Sequence, residues 1–363
     1  MPKILFLFHG GTIGQKPKVV GNRVILVAPE GSKDFEAVCA PIIEKAQKEN
    51  GIETAFEFIT STDSNNVSPN HWERLIFRVK KAQEDGYDAV GIVHGTDTMS
   101  YTVTAVALGL HGKTPGQSGL KIPVVFTGAQ NPVYKDGGDG KFNLENLFRT
   151  ILEAIRLGVA DVMVNFWNRV MLAPRCLKVS EKSFDAFRSP AFVDIGYIDG
   201  DGVHLIAQLR KKSEAAEKLV VAPKFGRGVM SVELAPGLEP NTLLGFVANG
   251  GVSVLILKSL GEGNGCTEGE YSILPMIRQA TTEFQTPVLI TSKFVGGSTG
   301  AAHYETGQLL LDAGAVACFD HTDVAVDVKS RWLLGNGVCA DVEGFRKAMG
   351  TSYAGEVTPP KSN

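Results

Sequence analysis

The chain of 363 residues contains no apolar run approaching the ~18 residues that a membrane-spanning helix needs. Its start, Met-Pro-Lys-Ile-Leu-Phe-Leu-Phe, has one lysine and a short apolar run. It lacks the long hydrophobic region and small-residue cleavage site of a signal peptide, so it reads as a first strand. Neither sign of charge is in marked excess, with 36 Lys and Arg against 39 Asp and Glu. The net charge of -3 leaves no electrostatic footprint for nucleic acid or for an anionic membrane. Cysteine is sparse and scattered, at positions 39, 176, 266, 318 and 339. An odd count without Cys-x-x-Cys spacing argues against a disulfide framework and against a zinc site. The reducing cytoplasm is the expected compartment. Internal repeats and low-complexity tracts are absent as well. What remains, at 44% hydrophobic and 21% charged, is an ordinary globular composition with length for roughly two domains.

Strand and helix signals alternate. Lys3 to Phe8, Glu53 to Thr60, Ala89 to Val93, Ile122 to Thr127 and Asp161 to Phe166 read as strands. The short apolar runs bounded by glycine suit strands buried on both faces of a parallel sheet. Between them, Phe35 to Asn50, the segment opened by Ser68-Pro69, Met99 to Leu110 and Phe142 to Leu157 have helical spacing. Gln15 to Ser32 reads as a loop that could be mobile. The pattern loosens from Arg175 and resumes with strands at Ser253 to Lys258 and Val288 to Thr291. Helices follow near 270 to 284, 304 to 313 and 323 to 334. The tail, Gly355 to Asn363, is polar and proline-containing and is expected to be disordered. The expected class is α/β: a larger N-terminal, mainly parallel, flavodoxin- or Rossmann-like sheet domain over 1–195 and a smaller C-terminal α/β domain over 225–363. Residues 196–224, with short strands and a charged run from Arg210 to Lys218, are taken as the crossing between them.

The strand ends carry the chemistry. His94-Gly95-Thr96-Asp97-Thr98 follows one apolar run, and His9-Gly10-Gly11-Thr12 follows another. Open α/β sheets bind ligands just past the carboxyl ends of their strands. One of Thr96, Asp97 and Thr98 would suffice as a helix cap, and the turn has three. The paired glycines allow close approach of a ligand and leave Thr12 presented. A third cluster, Ser61-Thr62-Asp63-Ser64-Asn65-Asn66, lies at another strand end. Hydroxyls, an acid and a basic group are the components of a nucleophilic hydrolase. His9 and His94 have too few ligand residues at short spacing for a metal, which favours structural hydrogen bonding. The run Gly261-x-Gly263-x-Gly265 lacks the helix-opening glycine pattern and the spaced acid of a dinucleotide site.

These motifs resemble the bacterial-type L-asparaginase family, most of all its cytoplasmic type I branch. The family's Thr-Gly-Gly-Thr-Ile signature is similar to His9-Gly10-Gly11-Thr12-Ile13, and its His-Gly-Thr-Asp-Thr-Met signature stands intact at 94 to 99. Its Asp-Ser-Ser-Asn-Met-Thr-Pro segment resembles Asp63 to Pro69. Its lysine ahead of Asp-Ala-Phe-x-Ser-Pro is similar to Lys178 ahead of Asp185 to Pro190, with Lys182 as a competitor. Its Gly-Val-Gly-Asn loop resembles Gly261 to Asn264. The resemblance implies hydrolysis of L-asparagine to aspartate and ammonia without metal or cofactor. It also implies homodimers or homotetramers with sites at the subunit contact. It assigns Thr12 as nucleophile, with Thr96, Asp97 and Lys178 as a second catalytic unit. Gly11, Asp63, Ser64, Asn65, Gly95 and Asn264 are the expected substrate contacts. Asn65, where the family more often has Ser or Gln, is a minor departure. The clear departure is in the family's mobile loop after the first strand, which has a tyrosine, whereas residues 13 to 34 contain none and Val24 stands nearest to that place. That departure motivates an alternative, a catalytically weak amino-acid-binding or sensing homologue. A third reading, a glutaminase-type subunit of a tRNA amidotransferase, would need an added RNA-binding domain, and no segment is basic enough to be one.

Overall fold

The computed structural model describes residues 1–206, 209–299 and 305–360. The chain forms two compact units. The first comprises residues 1–111, 117–189 and 193–221, and the second 112–116, 190–192 and everything from Ala222 onward.

The first unit runs β1 (Lys3–His9), β2 (Lys16–Val20), β3 (Arg23–Val27), α1 (Ser32–Asn50), β4 (Glu53–Phe58), α2 (Pro69–Glu84), β5 (Ala89–His94), α3 (Met99–His111), β6 (Val124–Thr127), α4 (Asp139–Arg156) and β7 (Val162–Phe166). It continues with β8 (Arg169–Leu172), β9 (Leu177–Lys178), β10 (Phe187–Arg188), β11 (Gly196–Asp199) and β12 (Gly202–Leu205). Its main sheet has the order β12-β11-β8-β7-β6-β5-β1-β4. The five strands from β4 to β7 are parallel, and the three beyond β7 pair antiparallel. The parallel part therefore has the doubly wound order 2-1-3-4-5. Its strands are apolar on both faces, as Ile4 to Phe8 and Ala89 to Val93 show by being buried throughout, because helices cover both sides. The local punctuation is chemical. Gly51 ends α1 in the left-handed conformation at φ 57. Ser68 and His71 form a reciprocal capping box at the start of α2, ahead of Pro69.

The second unit contains β13 (Val229–Glu233), α5 (Pro240–Ala248), β14 (Val254–Ser259), α6 (Leu274–Thr282), β15 (Val288–Ser292), α7 (Glu305–Asp312), β16 (Val316–Ala317), α8 (Asp323–Gly335) and α9 (Val342–Met349). Its four strands pair in parallel in chain order. Leu243, Val247, Leu255, Leu257, Ile277, Ile290 and Leu310 form its core. The fold is thus α/β, with a larger, mainly parallel sheet unit and a smaller α/β unit.

The structure corrects several sequence expectations. Gln15 to Ser32 is not an irregular loop. It holds an antiparallel hairpin in which Val19 pairs with Val24 and Val20 with Arg23. The turn residues Gly21-Asn22, between β-branched runs, are the signal for it. Residues 196 to 205, read as part of the crossing between domains, form β11 and β12 and extend the first sheet; positions 207 and 208 of that stretch lie outside the described residues. In the tail, Glu356 and Val357 are buried rather than disordered, while 361–363 lie outside the described residues, as does position 304 of the expected helix near 304–313. The helices α5 and α9 and strand β13 fall in stretches where sequence reading assigns no element. Among the described residues, no helix is long and apolar enough to cross a membrane.

Candidate active site

A doubly wound sheet has one place where successive crossovers leave in opposite directions, and here it lies between β1 and β5. The two glycine-and-threonine turns follow these two strands. Gly11 has φ 102, a conformation that a side chain strains, and a Cβ there would lie 2.7 Å from both Cα and N of Gly95. The two turns are therefore in backbone contact. Thr12 opens a short 3-10 turn, Thr12 to Gly14, whose start is fixed by Gln15 N donating to Thr12 O at 3.0 Å.

The cluster after β4 joins them. Asp63 caps a 3-10 turn, Ser64 to Asn66, by accepting from Asn65 N at 3.2 Å. Ser64 is buried, and a Cβ on Gly95 would meet its Cβ at 2.6 Å. Thr98 Oγ1 donates to Ser64 O at 2.8 Å and ties that turn to the start of α3. Asp63 and Asn65 themselves are exposed.

Lys178 completes the group. Its Nζ donates to Thr96 Oγ1 at 2.9 Å and to Asp97 Oδ1 at 2.6 Å. Its side chain is 16% exposed, against 53% for Asp97, so the amine is withdrawn while the carboxylate keeps one side to solvent. Its backbone is held too: Lys178 N donates to Ser100 Oγ at 3.1 Å, and Lys178 pairs in register with Phe187. The nine-residue interval between that lysine and phenylalanine is thus a hairpin register. Arg169 and Arg188 both bind Asp185 and pin the return strand. Lys182, the competing lysine, is 89% exposed and pairs only loosely with Glu181. Asn264 belongs to the second unit, where its backbone bridges Leu260 and its Oδ1 accepts from Thr306 Oγ1 at 2.9 Å. No tyrosine stands in the hairpin after Thr12, and Val24 is exposed on it. Among the described residues, no group of three or more His, Cys, Asp or Glu is placed to hold a metal.

Beneath the site, His9 and His94 stack with ring centroids 4.8 Å apart and planes 5° from parallel. Only His94 follows the expected structural hydrogen bonding, its Nδ1 lying 2.7 Å from Gly95 O. Among the described residues, neither ring nitrogen of His9 has a hydrogen-bond partner. Burial first, then the facing His94 and His71 rings, push His9 down to about 2. Burial likewise lowers His94 to about 4, against the bond to Gly95. Both rings are neutral where the unfolded chain would begin to protonate, near 6.5. As pH falls below that point the unfolded state takes up protons that the folded state refuses, so stability falls. The expected loss is about 1.4 kcal/mol per histidine for each pH unit down to the folded value. Urea unfolding at pH 7 and pH 5 checks this: His9→Leu should flatten the pH slope by about that amount, and an unchanged slope would refute it.

Four further residues escape a reading of the sequence. Asp139 and Asn143, both fully buried on α4, hold the turn after β6, while Gly128 and Gln130 belong to that turn. The available signal is a pair of polar residues one helical turn apart on the face that also buries Leu144 and Leu147.

The likeness to known proteins fits this geometry. The family described as "Asparaginase, N-terminal" matches residues 3–211. The chain belongs to the asparaginase family. Residues 228–349 match the "Glutaminase/Asparaginase C-terminal domain". Asparaginase-family membership makes the chain an amidohydrolase. The chain is 30% identical to the L-asparaginase of Thermococcus kodakarensis over 98% of its own length and 99% of that protein's. It is 32% identical to a glutamyl-tRNA(Gln) amidotransferase subunit of Pyrococcus abyssi, covering 99% of this chain and 77% of that protein. Among solved structures, the thermostable L-asparaginase from Thermococcus kodakarensis has a TM-score of 0.83 at 29% identity, covering 98% of this chain and 99% of that one. L-asparaginase I from Vibrio cholerae has a TM-score of 0.81 at 25% identity, with coverage of 98% and 99%.

Proposed function

We propose that the protein hydrolyses L-asparagine to L-aspartate and ammonia through an acyl-threonine intermediate, using no metal or cofactor. One observation carries the reading: an amine shared between a threonine hydroxyl and a carboxylate, at the sheet's switch point, one residue from the backbone contact that bears Thr12. In the first half-reaction Thr12 Oγ1 adds to the side-chain amide carbon while its proton passes towards the leaving nitrogen. The C–N bond then breaks and ammonia departs. Backbone N–H groups around Thr12 and Thr96 receive the oxyanion. In the second half-reaction Thr96 orients a water, and Lys178 takes its proton through the Thr96 hydroxyl. Asp97 stabilises the ammonium that results. Water adds to the ester, Thr12 regains its hydrogen and aspartate leaves. The substrate's ammonium is met by Asp97 and Asp63, and its carboxylate by Ser64, Asn65 and the backbone near Gly11 and Gly95.

We further infer a homodimer or homotetramer acting in the cytoplasm, in which Asn264 reaches the substrate of a neighbouring subunit. Glutamine, one methylene longer, is disfavoured by only ~1–3 kcal/mol, so a glutaminase side activity accompanies the main one. Ammonia release from both amides is the direct test. Hydroxylamine added during turnover should intercept the acyl-enzyme as aspartyl β-hydroxamate. Ligand-induced thermal stabilisation by asparagine or aspartate without any ammonia would instead support the sensing alternative, which the tyrosine-free hairpin favours. The likeness to an amidotransferase component favours a third outcome, glutamine hydrolysed in preference to asparagine.

A further inference from the structure

Lys178 and Thr96 lie far apart in sequence, and their 2.9 Å contact needs both backbones held in place. One buried pair on α4 reaches towards each of them. Asp139 accepts from Gln130 N at 2.9 Å and from Asn131 N at 2.8 Å. Asn143 Nδ2 donates to Gly128 O at 2.9 Å and to Asp139 Oδ2 at 3.2 Å. Asn143 Oδ1 accepts from Trp167 N at 2.9 Å, where Trp167 has φ 53, a conformation that is unfavourable for a bulky side chain. Every polar atom of the two side chains is thus committed to backbone or to the other member of the pair.

The turn they hold has two working ends. At one end, a Cβ on Gly128 would come within 2.5 Å of His94 O and 3.3 Å of Thr96 Cγ2. The Gly128 backbone is therefore the wall against which Thr96 packs. At the other end, Gln130 Nε2 donates to Ser180 O and Ser183 O, each at 3.3 Å. Those carbonyls lie in the hairpin loop directly after Lys178. A single turn thus touches Thr96 on one side and clamps the Lys178 hairpin on the other.

We propose that Asp139, Asn143 and Gln130 are positioning residues that set the Lys178–Thr96 geometry, Asn143 acting through Gly128 and Gln130 through the 180–183 loop. The proposal rests on the catalytic roles given above to Thr96 and Lys178. Misplacement of a reacting group by about 1 Å costs on the order of 100-fold in rate.

Asn143→Ala also removes core contacts, so the half-buried Gln130 carries the test. Gln130→Leu, assayed for ammonia release from asparagine, should lose about 10- to 100-fold in kcat with KM within a few-fold. Its thermal midpoint should be that of the parent. The same substitution in a Lys178→Met background should cost nothing further, because the group it positions is already gone. Equal losses in both backgrounds, or no loss in the parent, would overturn the proposal. If Lys178→Met alone leaves the rate unchanged, it is the catalytic reading of Lys178 that falls, and the two failures are told apart.

Discussion

Thr12→Ala is expected to lower kcat by about 10⁴-fold or more, equivalent to roughly 5 kcal/mol of transition-state stabilisation. The size follows from the chemistry. On the proposed mechanism no ester forms without the Thr12 hydroxyl, and only the electrostatic setting and substrate binding remain to assist direct attack by water. Those remain because the backbone around Thr12 is set by Gly11 at φ 102 and by its contact with Gly95, neither of which needs the threonine side chain. Affinity for aspartate, followed by calorimetry, should therefore stay within a few-fold of the parent. The hydroxamate trapped by hydroxylamine should vanish with turnover. Thr96 is the rival nucleophile, since it is the alcohol that touches the amine. The two variants separate the roles. Thr96→Ala should impair deacylation and let the acyl-enzyme accumulate, whereas Thr12→Ala should prevent its formation. Should Thr12→Ala still yield hydroxamate while Thr96→Ala does not, the assignments exchange and the mechanism above is wrong.

The parts of this site that are visible in the sequence share a property: they interrupt a strong pattern. His94 to Thr98 and His9 to Thr12 end apolar runs, and a buried parallel strand is among the clearest periodic signals. Lys178 is different. Nothing about one lysine in a loosened stretch marks it as enclosed; only its interval to Phe187 does so, which the structure explains as a register. The clamp from α4 is hidden because Asp139 and Asn143 act through backbone carbonyls and amides, which have no sequence identity of their own. The hairpin at 16–27 reads as a loop when glycine, proline and lysine are weighed over the alternating valines around Gly21-Asn22. Of the three antiparallel strands beyond β7, β8 falls where no strand is read, while β11 and β12 lie in a stretch read as short strands crossing between domains, because strands of four residues carry too little pattern to show which sheet they join.

The tail expectation fails at Glu356 and Val357 for a reason that supplies the second large effect. Glu356→Ala is expected to destabilise the protein by about 3–5 kcal/mol. Glu356 and Lys329 are both fully buried and lie 2.8 Å apart. Burial alone would push the Glu356 carboxyl up. The Lys329 ammonium and His321 outweigh burial, with help from the Ala354 amide, and bring it down to about 2. Lys329 Nζ also donates to Thr351 O at 2.7 Å and lies 3.2 Å from His321 Nε2. Two backbone amides, Tyr353 N and Ala354 N, donate to the carboxylate. The pair thus anchors the tail on α8 through charge, and polar composition gives no hint of it. Removing the acid takes away the carboxylate that faces a fully buried ammonium, a change that costs far more than losing a surface ion pair. Removing both charges together, in Lys329→Met/Glu356→Leu, should recover most of the loss, because a buried ion pair contributes little over an apolar pair of similar volume. The pH dependence has a definite sign. A carboxyl held near 2 in the fold and near 4.5 in the unfolded chain stabilises at neutral pH, and that contribution declines as pH falls from about 4.5 towards 2. Urea unfolding at pH 7 and pH 3.5 should show Glu356→Ala converging on the parent at the lower pH. A constant gap between them would mean that the buried carboxylate is not what holds the segment.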